Sequence, residues 1–470
     1  MATLNQLRVT DRSAVYGEHD VITPIRVDAA IDLLTRIENV EASIGIVGLG
    51  YVGLPLARVF WDQGYRITGF DIDPQKVERL SRGDSYIKSF PSSTVAALNE
   101  SRRFAATTDF SELARMDAIL ICVPTPLGKC RDPDLSYVVE TSESIARRLR
   151  PGQLIVLEST TYPGTTVDVV KPILERRGLK SGVDFYLAYS PEREDPGNPV
   201  FETAQIPKVV GGDGTVALQL AEALYAKAVV QTVSVSSTQT AEAVKLTENI
   251  FRSVNIALVN ELKLVFEAMG VDVWEVIEAA KTKPFGFMPF YPGPGLGGHC
   301  IPIDPFYLSW RAKRSNVETR IIELAGDINA SMPRYVVERV SKEIVSRYNR
   351  KLTQSRILLL GLAYKKNVDD TRESPGLKIM ELLQLRGAAV DYHDPYIPRI
   401  PVTRKHPRLA GKRSVPWTAE AISDYDAVLI CTDHDELDYG LLGRSARLIV
   451  DTRNVMVREG FAGSSKVIKA

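Results

Sequence analysis

The chain is predicted to be α/β, with two Rossmann-like doubly wound parallel-sheet domains joined by a long central helix in a helical middle domain. Three observations predict this. A β-rich run, a Gly48-x-Gly50-x-x-Gly53 turn, a helical pattern and a second strand ending at Asp71 follow one another after Ser43. The same outline returns late in the chain: a run from Arg356 to Leu360 with Gly361, a helix near Gly376 to Gly387, and a strand closing at Asp391. DAVLIC at Asp426 echoes DAILIC at Asp117, and LIVDTRN at Leu448 echoes LIVLEST at Leu154, in the same order. Between the halves, Thr238 to Met269 reads as one long helix with apolar residues on more than one face, as expected of a helix buried between domains or subunits. The expected domains are an extension over 1–40, a dinucleotide-binding domain over 41–235, a central helical domain over 236–335 and a second Rossmann-like domain over 336–470.

The 470 residues suffice for two or three domains of ordinary size. Lys plus Arg equals Asp plus Glu at 58 each, so no overall field draws the chain to nucleic acid or a membrane surface. An anionic ligand must be met by a local cluster. Four cysteines form neither a disulfide framework nor a paired metal-ligand spacing, so no metal is expected and a reducing compartment suits the chain. The start, MATLNQLRVTDRS, lacks the charged-then-apolar layout of a signal peptide, and the longest apolar runs are strand-sized. A cytoplasmic protein is predicted.

Residues 1–40 are a polar lead-in ending in an amphipathic helix, Val27 to Ile37, with no assignable chemistry. The glycine turn that follows stands in its proper context, strand before and helix after. Gly48 makes the tight turn, Gly50 lets the backbone approach a pyrophosphate, Gly53 lets helix and strand pack, and Tyr51 and Val52 complete the turn. Asp71 suits ribose hydroxyls and would repel a ribose phosphate, which favours NAD over NADP. Lys76 either closes over that ribose or is a solvated helix lysine.

Strands Ala118 to Val123 and Leu154 to Leu157 run into Thr125 and Glu158. Ligands lie beyond the carboxyl ends of strands in an open parallel sheet, so both residues should face the nicotinamide end of the cofactor. Strand Tyr186 to Tyr189 leads into SPERED, where Glu192 is either a buried acid or base or one of several solvated acids, with Arg193 beside it. On the long helix, Lys245 and Asn249 are four apart and share a face. Buried there, they need partners that a ligand oxygen supplies; the rival reading makes Lys245 a surface cation.

The organising stretch is Gly293 to Pro305, GPGLGGHCIPIDP, which sets Cys300 behind a run of glycines including Gly293, Gly295 and Gly297. Glycines admit positive φ and close approach to a ligand, and nothing regular is expected there, with Pro302 and Pro305 excluding helix and sheet interiors. Cys300 is thus either a thiol positioned for chemistry, with Asp304 four residues on, or a small buried hydrophobe. In the second domain GLAYKKNVDDTRES replaces the glycine turn and supplies Lys365, Lys366 and Arg372, cations suited to a diphosphate. Cys122 and Cys431 fall inside the repeated strands and read as structural.

With GLGYVGLP, the Glu192 loop, Lys245/Asn249, GGHCIPIDP, LGLAYKKNVDDTRESP and VDTRN in this order, nearly all the chain past residue 41 resembles the UDP-glucose/GDP-mannose dehydrogenase family. SPEREDPGNP, KPFGFMPFYPGPGLGGHC and IPIDPFYLSW are similar to its UDP-N-acetylhexosamine branch, closest to UDP-N-acetylglucosamine 6-dehydrogenases. The resemblance implies two successive NAD-dependent oxidations at carbon 6 of a nucleotide sugar, giving a UDP-uronic acid for surface polysaccharide precursors, by a homodimer or higher homo-oligomer. It implies Cys300 as the nucleophile that carries a thiohemiacetal and then a thioester. At an ordinary pKa near 8.5 only about three per cent of a thiol is thiolate at neutral pH, so nearby cations or a base should matter. It further implies oxyanion stabilisation by Lys245 and Asn249, a base or water-orienting role for Asp304, thioester hydrolysis for Glu192, and a place near the nicotinamide for Thr125 and Glu158. Lys365, Arg372 and Arg453 are implied to grip the diphosphate, uridine or cofactor.

The chain departs from glucose-oxidising members at Ile303, where they carry lysine, at His299, where they carry a small polar residue, and at Pro196, where they carry a second glutamate, with Asp195 adjacent. These departures weaken UDP-glucose as substrate and leave the hydrolytic base open among several groups. UDP-N-acetylmannosamine, UDP-N-acetylgalactosamine and UDP-glucose stand as alternative substrates. A two-electron dehydrogenase on the same scaffold and a catalytically silent nucleotide-sugar binder are the rival functions.

Overall fold

The computed structural model describes residues 25–128, 131–194, 202–298, 301–403 and 405–470. It divides into two compact units, Met1–Thr247 and Glu248–Ala470, the division falling inside the long helix Thr238–Ala268.

The first unit is built on strands β1 (Ser43–Val47), β2 (Arg66–Phe70), β3 (Phe104–Thr107), β4 (Ala118–Ile121), β5 (Leu154–Leu157), β6 (Tyr186–Tyr189), β7 (Lys208–Gly212) and β8 (Thr232–Val235), in the order β3-β2-β1-β4-β5-β6-β7-β8. AILI, LIVL and YLAY are apolar at every position and buried throughout, because helices cover both faces of a parallel sheet. Helices α1 (Ile25–Glu38) and α2 (Gly53–Asp62) help close one face, with Leu33, Leu34, Ile37, Leu54 and Phe60 in its core. Phe70, Ile119, Ile155 and Leu187 face the core on the other side.

The sheet is not wholly parallel. β7 runs antiparallel to β6, with Ala188 opposite Gly212 and Tyr189 opposite Gly211, and β8 is parallel to β7 across helix α3 (Thr215–Ala226). This reversal brings the start of β7, Lys208, to the edge where β1, β2, β4, β5 and β6 end.

The second unit contains β9 (Arg356–Leu360), β10 (Ala389–His393), β11 (Ala427–Ile430), β12 (Ile449–Asp451) and β13 (Val467–Lys469), all parallel, in the order β10-β9-β11-β12-β13. Further helices are α4 (Thr238–Ala268), α5 (Asp304–Arg314), α6 (Arg320–Tyr348) and α7 (Pro375–Leu385). The sequence predicts nothing regular as far as Pro305, yet α5 starts at Asp304. Pro305 occupies the first turn, where its missing N–H has no partner to lose and its fixed φ suits a helix. Cys122 and Cys431 fall just past β4 and β11 instead of inside them, each donating its amide to the neighbouring strand, Val47 O and Leu360 O, at 2.8 Å. Among the described residues, no helix is long and apolar enough to cross a membrane and no His, Cys, Asp and Glu cluster could hold a metal.

Candidate active site

The glycine turn after β1 has a different constraint at each glycine. Gly48 lies at φ +95°, and a Cβ there would meet Cys122 O at 2.6 Å. A Cβ on Gly53 would sit 1.9 Å from Gly48 O, so only glycine lets α2 begin this close to β1. A Cβ on Gly50 meets nothing within 4 Å: fold packing does not demand glycine there, and an approaching ligand would. Tyr51 packs on the first core and Val52 directly precedes α2. Asp71, the first residue after β2 and buried, accepts the Leu49 and Asp73 amides at 3.0 Å each and the Lys76 ammonium at 3.0 Å. The turn, the helix start and this acid fit a dinucleotide's pyrophosphate and ribose. Lys76 turns back on the acid, half-exposed, beside the Tyr86 ring.

Along the same edge lies a buried charge network. The Lys208 ammonium is 2.7 Å from Glu158 Oε2 and 2.9 Å from Glu192 Oε2, and the Tyr225 hydroxyl of α3 donates to Glu158 Oε1. All four side chains are buried. The topology explains the meeting. Continuing the β6/β7 register three residues outward puts Glu192 opposite Lys208, while Glu158 is the first residue after the adjacent β5. Glu192 Oε1 also accepts the Arg193 and Glu194 amides at 2.7 Å each, and the Arg193 side chain donates to Pro207 O.

The two carboxyls are driven apart. Burial alone would raise Glu192, but the charge and hydrogen bond of Lys208, the Glu194 amide and the charge of Lys245 carry it below the ordinary carboxylate range. For Glu158, burial and the neighbouring Glu192 charge outweigh Lys208 and raise it. Burial works against protonated Lys208, yet the two carboxylates overcome it and raise its pKa. Thr125 is buried and donates from its hydroxyl to Thr160 O at 2.8 Å, in the loop after β4. Lys245, also buried, belongs to the first unit.

In the second unit, buried Asn249 donates from Nδ2 to Asp304 Oδ2 at 2.6 Å, joining α4 to the start of α5. The glycine loop is held tightly on either side. Gly293 donates its amide to Asn260 Oδ1 at 3.0 Å, and a Cβ on it would lie 2.7 Å from Arg453 Nη1. Gly295 (φ +134°) abuts Pro333 and Pro375, a Cβ on Gly297 would lie 2.7 Å from Tyr364 Cβ, and Gly298 donates to Arg372 O. Arg453 follows β12 and donates from Nε to Cys431 O at 2.8 Å. Lys365 is half-buried beyond β9. Arg372 makes a two-pronged pair with Asp370, and Lys366 an exposed pair with Asp435 at 2.9 Å. Two of the three cations read as diphosphate ligands are therefore already engaged with acids.

Cys300, with its neighbour His299, and Asp195 and Pro196 lie outside the described residues. Lys208 and Tyr225 escape a reading of the sequence: a lysine opening a strand and a tyrosine closing a helix carry no motif, and only the reversal of β7 brings them to Glu158 and Glu192. Asn260 escapes it for a similar reason, its partner Gly293 lying far along the chain.

Three family models match in succession: the NAD binding domain of the UDP-glucose/GDP-mannose dehydrogenase family over residues 42–229, its central domain over 239–331 and its UDP binding domain over 358–458. The chain is 36% identical over 419 residues to the UDP-N-acetyl-D-mannosamine dehydrogenase of Pyrococcus horikoshii, covering 88% of this chain and 96% of that one. It is 33% identical over 424 residues to the UDP-N-acetyl-D-glucosamine 6-dehydrogenase of Pseudomonas aeruginosa, covering 88% and 97%. The solved structure of the Pyrococcus horikoshii UDP-D-ManNAc dehydrogenase matches with a TM-score of 0.79 at 35% identity, covering 88% of this chain and 96% of that one.

Proposed function

Because this chain belongs to the UDP-glucose/GDP-mannose dehydrogenase family and is an NAD-dependent UDP-sugar dehydrogenase, we propose that it oxidises the carbon-6 alcohol of UDP-N-acetylglucosamine, or a close UDP-N-acetylhexosamine epimer, to the UDP-uronic acid. The observation that carries the four-electron reading is the state of Glu192, a buried carboxylate held ionised on the edge where the first sheet's parallel strands end. A two-electron alcohol oxidation needs a base for the alcohol proton but has no hydrolytic step to occupy a second one. Release of an acid from a thioester has one, because water must lose a proton as it attacks.

NAD, held by Gly48, Gly50, Gly53 and Asp71, supplies the acceptor for the hydride of each oxidation. The proton of the alcohol passes to a protein base as the aldehyde forms. The Cys300 thiolate adds to the aldehyde carbon and keeps it bound as a thiohemiacetal; the second oxidation makes a thioester. Water, deprotonated by Glu192, attacks the carbonyl, the C–S bond breaks, and thiolate and carboxylate leave. Lys245 and Asn249 stabilise the oxyanions, and Asp304, tied to Asn249 in the structure, fixes that amide's direction.

We place the reaction in the cytoplasm, feeding surface polysaccharide synthesis, with the enzyme a homodimer or higher homo-oligomer. Phe251, Leu258 and Val265 recur at seven-residue intervals on α4 and are exposed, a stripe suited to a second copy of the helix. A panel of UDP-N-acetylglucosamine, UDP-N-acetylmannosamine, UDP-N-acetylgalactosamine and UDP-glucose, followed by NADH absorbance, tests the substrate. Two NADH per sugar are expected; one per sugar, with the aldehyde as product, would leave the thioester route without support.

A further inference from the structure

We infer that Lys263 is an anion-binding residue which, with Arg453, receives a phosphate group of the nucleoside diphosphate beside the glycine loop. This rests on the UDP-sugar reading and adds to it a residue that no motif singled out.

Lys263 lies on α4, is buried, and its ammonium has no hydrogen-bond partner. The groups around it are otherwise committed. Glu267, one turn on, pairs with Arg339 at 3.2 Å and accepts the Tyr335 hydroxyl. Asp451, at the end of β12, accepts the Arg453 and Met456 amides at 2.8 Å each. The Tyr335 ring is 5.1 Å from the ammonium, and Arg339 Nε is likewise buried without a partner. Lys263, Arg339 and Arg453 thus share this region with Glu267 and Asp451, whose oxygens are engaged, while Glu343 lies 3.7 Å from Arg339 and the charge of Asp433 acts on Arg453.

A buried ammonium without a counter-charge is costly to keep, and a protein that keeps one at a ligand site uses it on the ligand. Burial pushes Lys263 down to about 8; Glu267 and Asp451 pull the other way, and Arg339 and Arg453 reinforce the fall. Lys263 itself has no hydrogen-bonded acid.

Its position points to the nucleotide. Asn260, one turn before Lys263 on the same helix face, holds the Gly293 amide and is itself fixed by donating to Asn329 Oδ1 at 2.9 Å. Gly293 in turn abuts the Arg453 guanidinium, with 2.7 Å from the place of a Cβ to Nη1. Helix face, glycine loop and the carboxyl end of β12 therefore meet where ligands of such a sheet bind. With Nε of Arg453 bonded to Cys431 O, the group it offers a phosphate is its Nη pair, and the neighbouring ammonium adds a point charge.

Titration calorimetry of the full-length enzyme with UDP tests this. Lys263→Met should weaken UDP roughly tenfold or more, the scale of a lost charge-assisted hydrogen bond, while uridine affinity and NAD affinity stay within about twofold. The wild type gives a readout that needs no variant. At pH 8, UDP binding should take up a substantial fraction of a proton, seen by comparing buffers of different ionisation enthalpy, because the incoming anion recharges the lysine. Unchanged UDP affinity in Lys263→Met, or no proton uptake by the wild type, overturns the anion site but not the reaction. A wild type that forms no acid with any UDP-sugar sinks the reaction instead, whatever its affinity for UDP.

Discussion

Lys208, the first residue of β7, stands across from Glu192, three residues past the end of the antiparallel β6, with its ammonium 2.9 Å from the carboxylate. The same ammonium reaches Glu158 at 2.7 Å, so one cation neutralises one of two buried acids and leaves the pair with a single net negative charge. That arrangement lets Glu192 remain a base while Glu158 is raised.

Removing the cation should therefore show in the pH profile as well as in stability. In Lys208→Met the two carboxylates face each other unpaired and must share a proton, so the acidic limb of kcat is expected to move up by about one pH unit or more. Unfolding free energy should fall by about 3–5 kcal/mol, the usual cost of breaking a buried ion pair. Lys208→Arg should restore the limb towards its wild-type position. A Lys208→Met enzyme that folds and keeps the wild-type acidic limb would show that Lys208 does not govern Glu192.

Cys300→Ser separates covalent chemistry from binding. A serine hydroxyl ionises far less readily than a thiol and makes a poorer nucleophile, so acid formation should fall by about three orders of magnitude or more, the scale of losing a covalent step. UDP and NAD affinities should stay near wild type. Unchanged NADH yield per sugar in this variant would remove Cys300 from the mechanism.

Much of this was legible in the chain. The strands that lead to Thr125 and Glu158 were readable because a fully buried parallel strand is apolar at every position, and the three glycines because each removes a side chain for a separate reason. The repeat was also visible, and the structure deepens it: Gly361, φ +81°, abuts Thr432 O much as Gly48 abuts Cys122 O. What could not be read was how the second turn differs. Asp394, just past β10, accepts the Leu362 and Ala363 amides as Asp71 accepts that of Leu49, but it also holds buried His434 at 3.1 Å. With the Tyr396 and Ile397 amides as well, Asp394 has five hydrogen-bond partners where Asp71 has three. Strand direction was equally hidden, because the apolar pattern of β7 is the same whichever way it runs, and with it the place of Lys208.

Gly50 and Gly53, the second and third glycines of the first turn, should fail differently. Gly53→Ala puts a methyl 1.9 Å from a backbone oxygen, so it should destabilise the protein by about 2–4 kcal/mol in chemical denaturation. Gly50→Ala has open space and should leave stability within about 0.5–1 kcal/mol, the ordinary effect of a glycine-to-alanine change. Its NAD affinity should nevertheless drop roughly tenfold, because the methyl enters the path of the pyrophosphate. Wild-type NAD binding by Gly50→Ala would mean the cofactor lies elsewhere.

Glu242 offers a pH test away from the chemistry. It is fully buried near the start of α4 and accepts the Gly164 amide at 2.6 Å, the Thr166 amide at 2.9 Å and the Thr166 hydroxyl at 2.7 Å. Burial pushes its carboxyl up to about 7 against the pull of those donors. An acid raised in the folded state binds more protons folded than unfolded, so its contribution favours the fold below the unfolded value near 4.5 and is lost as pH climbs through about 7. Chemical denaturation at pH 5 and pH 8 should therefore show the wild type losing about 2–3 kcal/mol more than Glu242→Gln over that interval, since a tenfold difference in proton affinity between folded and unfolded chains is worth about 1.4 kcal/mol. The variant, unable to ionise, removes this one group from the comparison while every other titrating residue stays. Parallel pH dependences for the two proteins would mean that the three donors hold Glu242 ionised throughout and that burial does not dominate at this end of the helix.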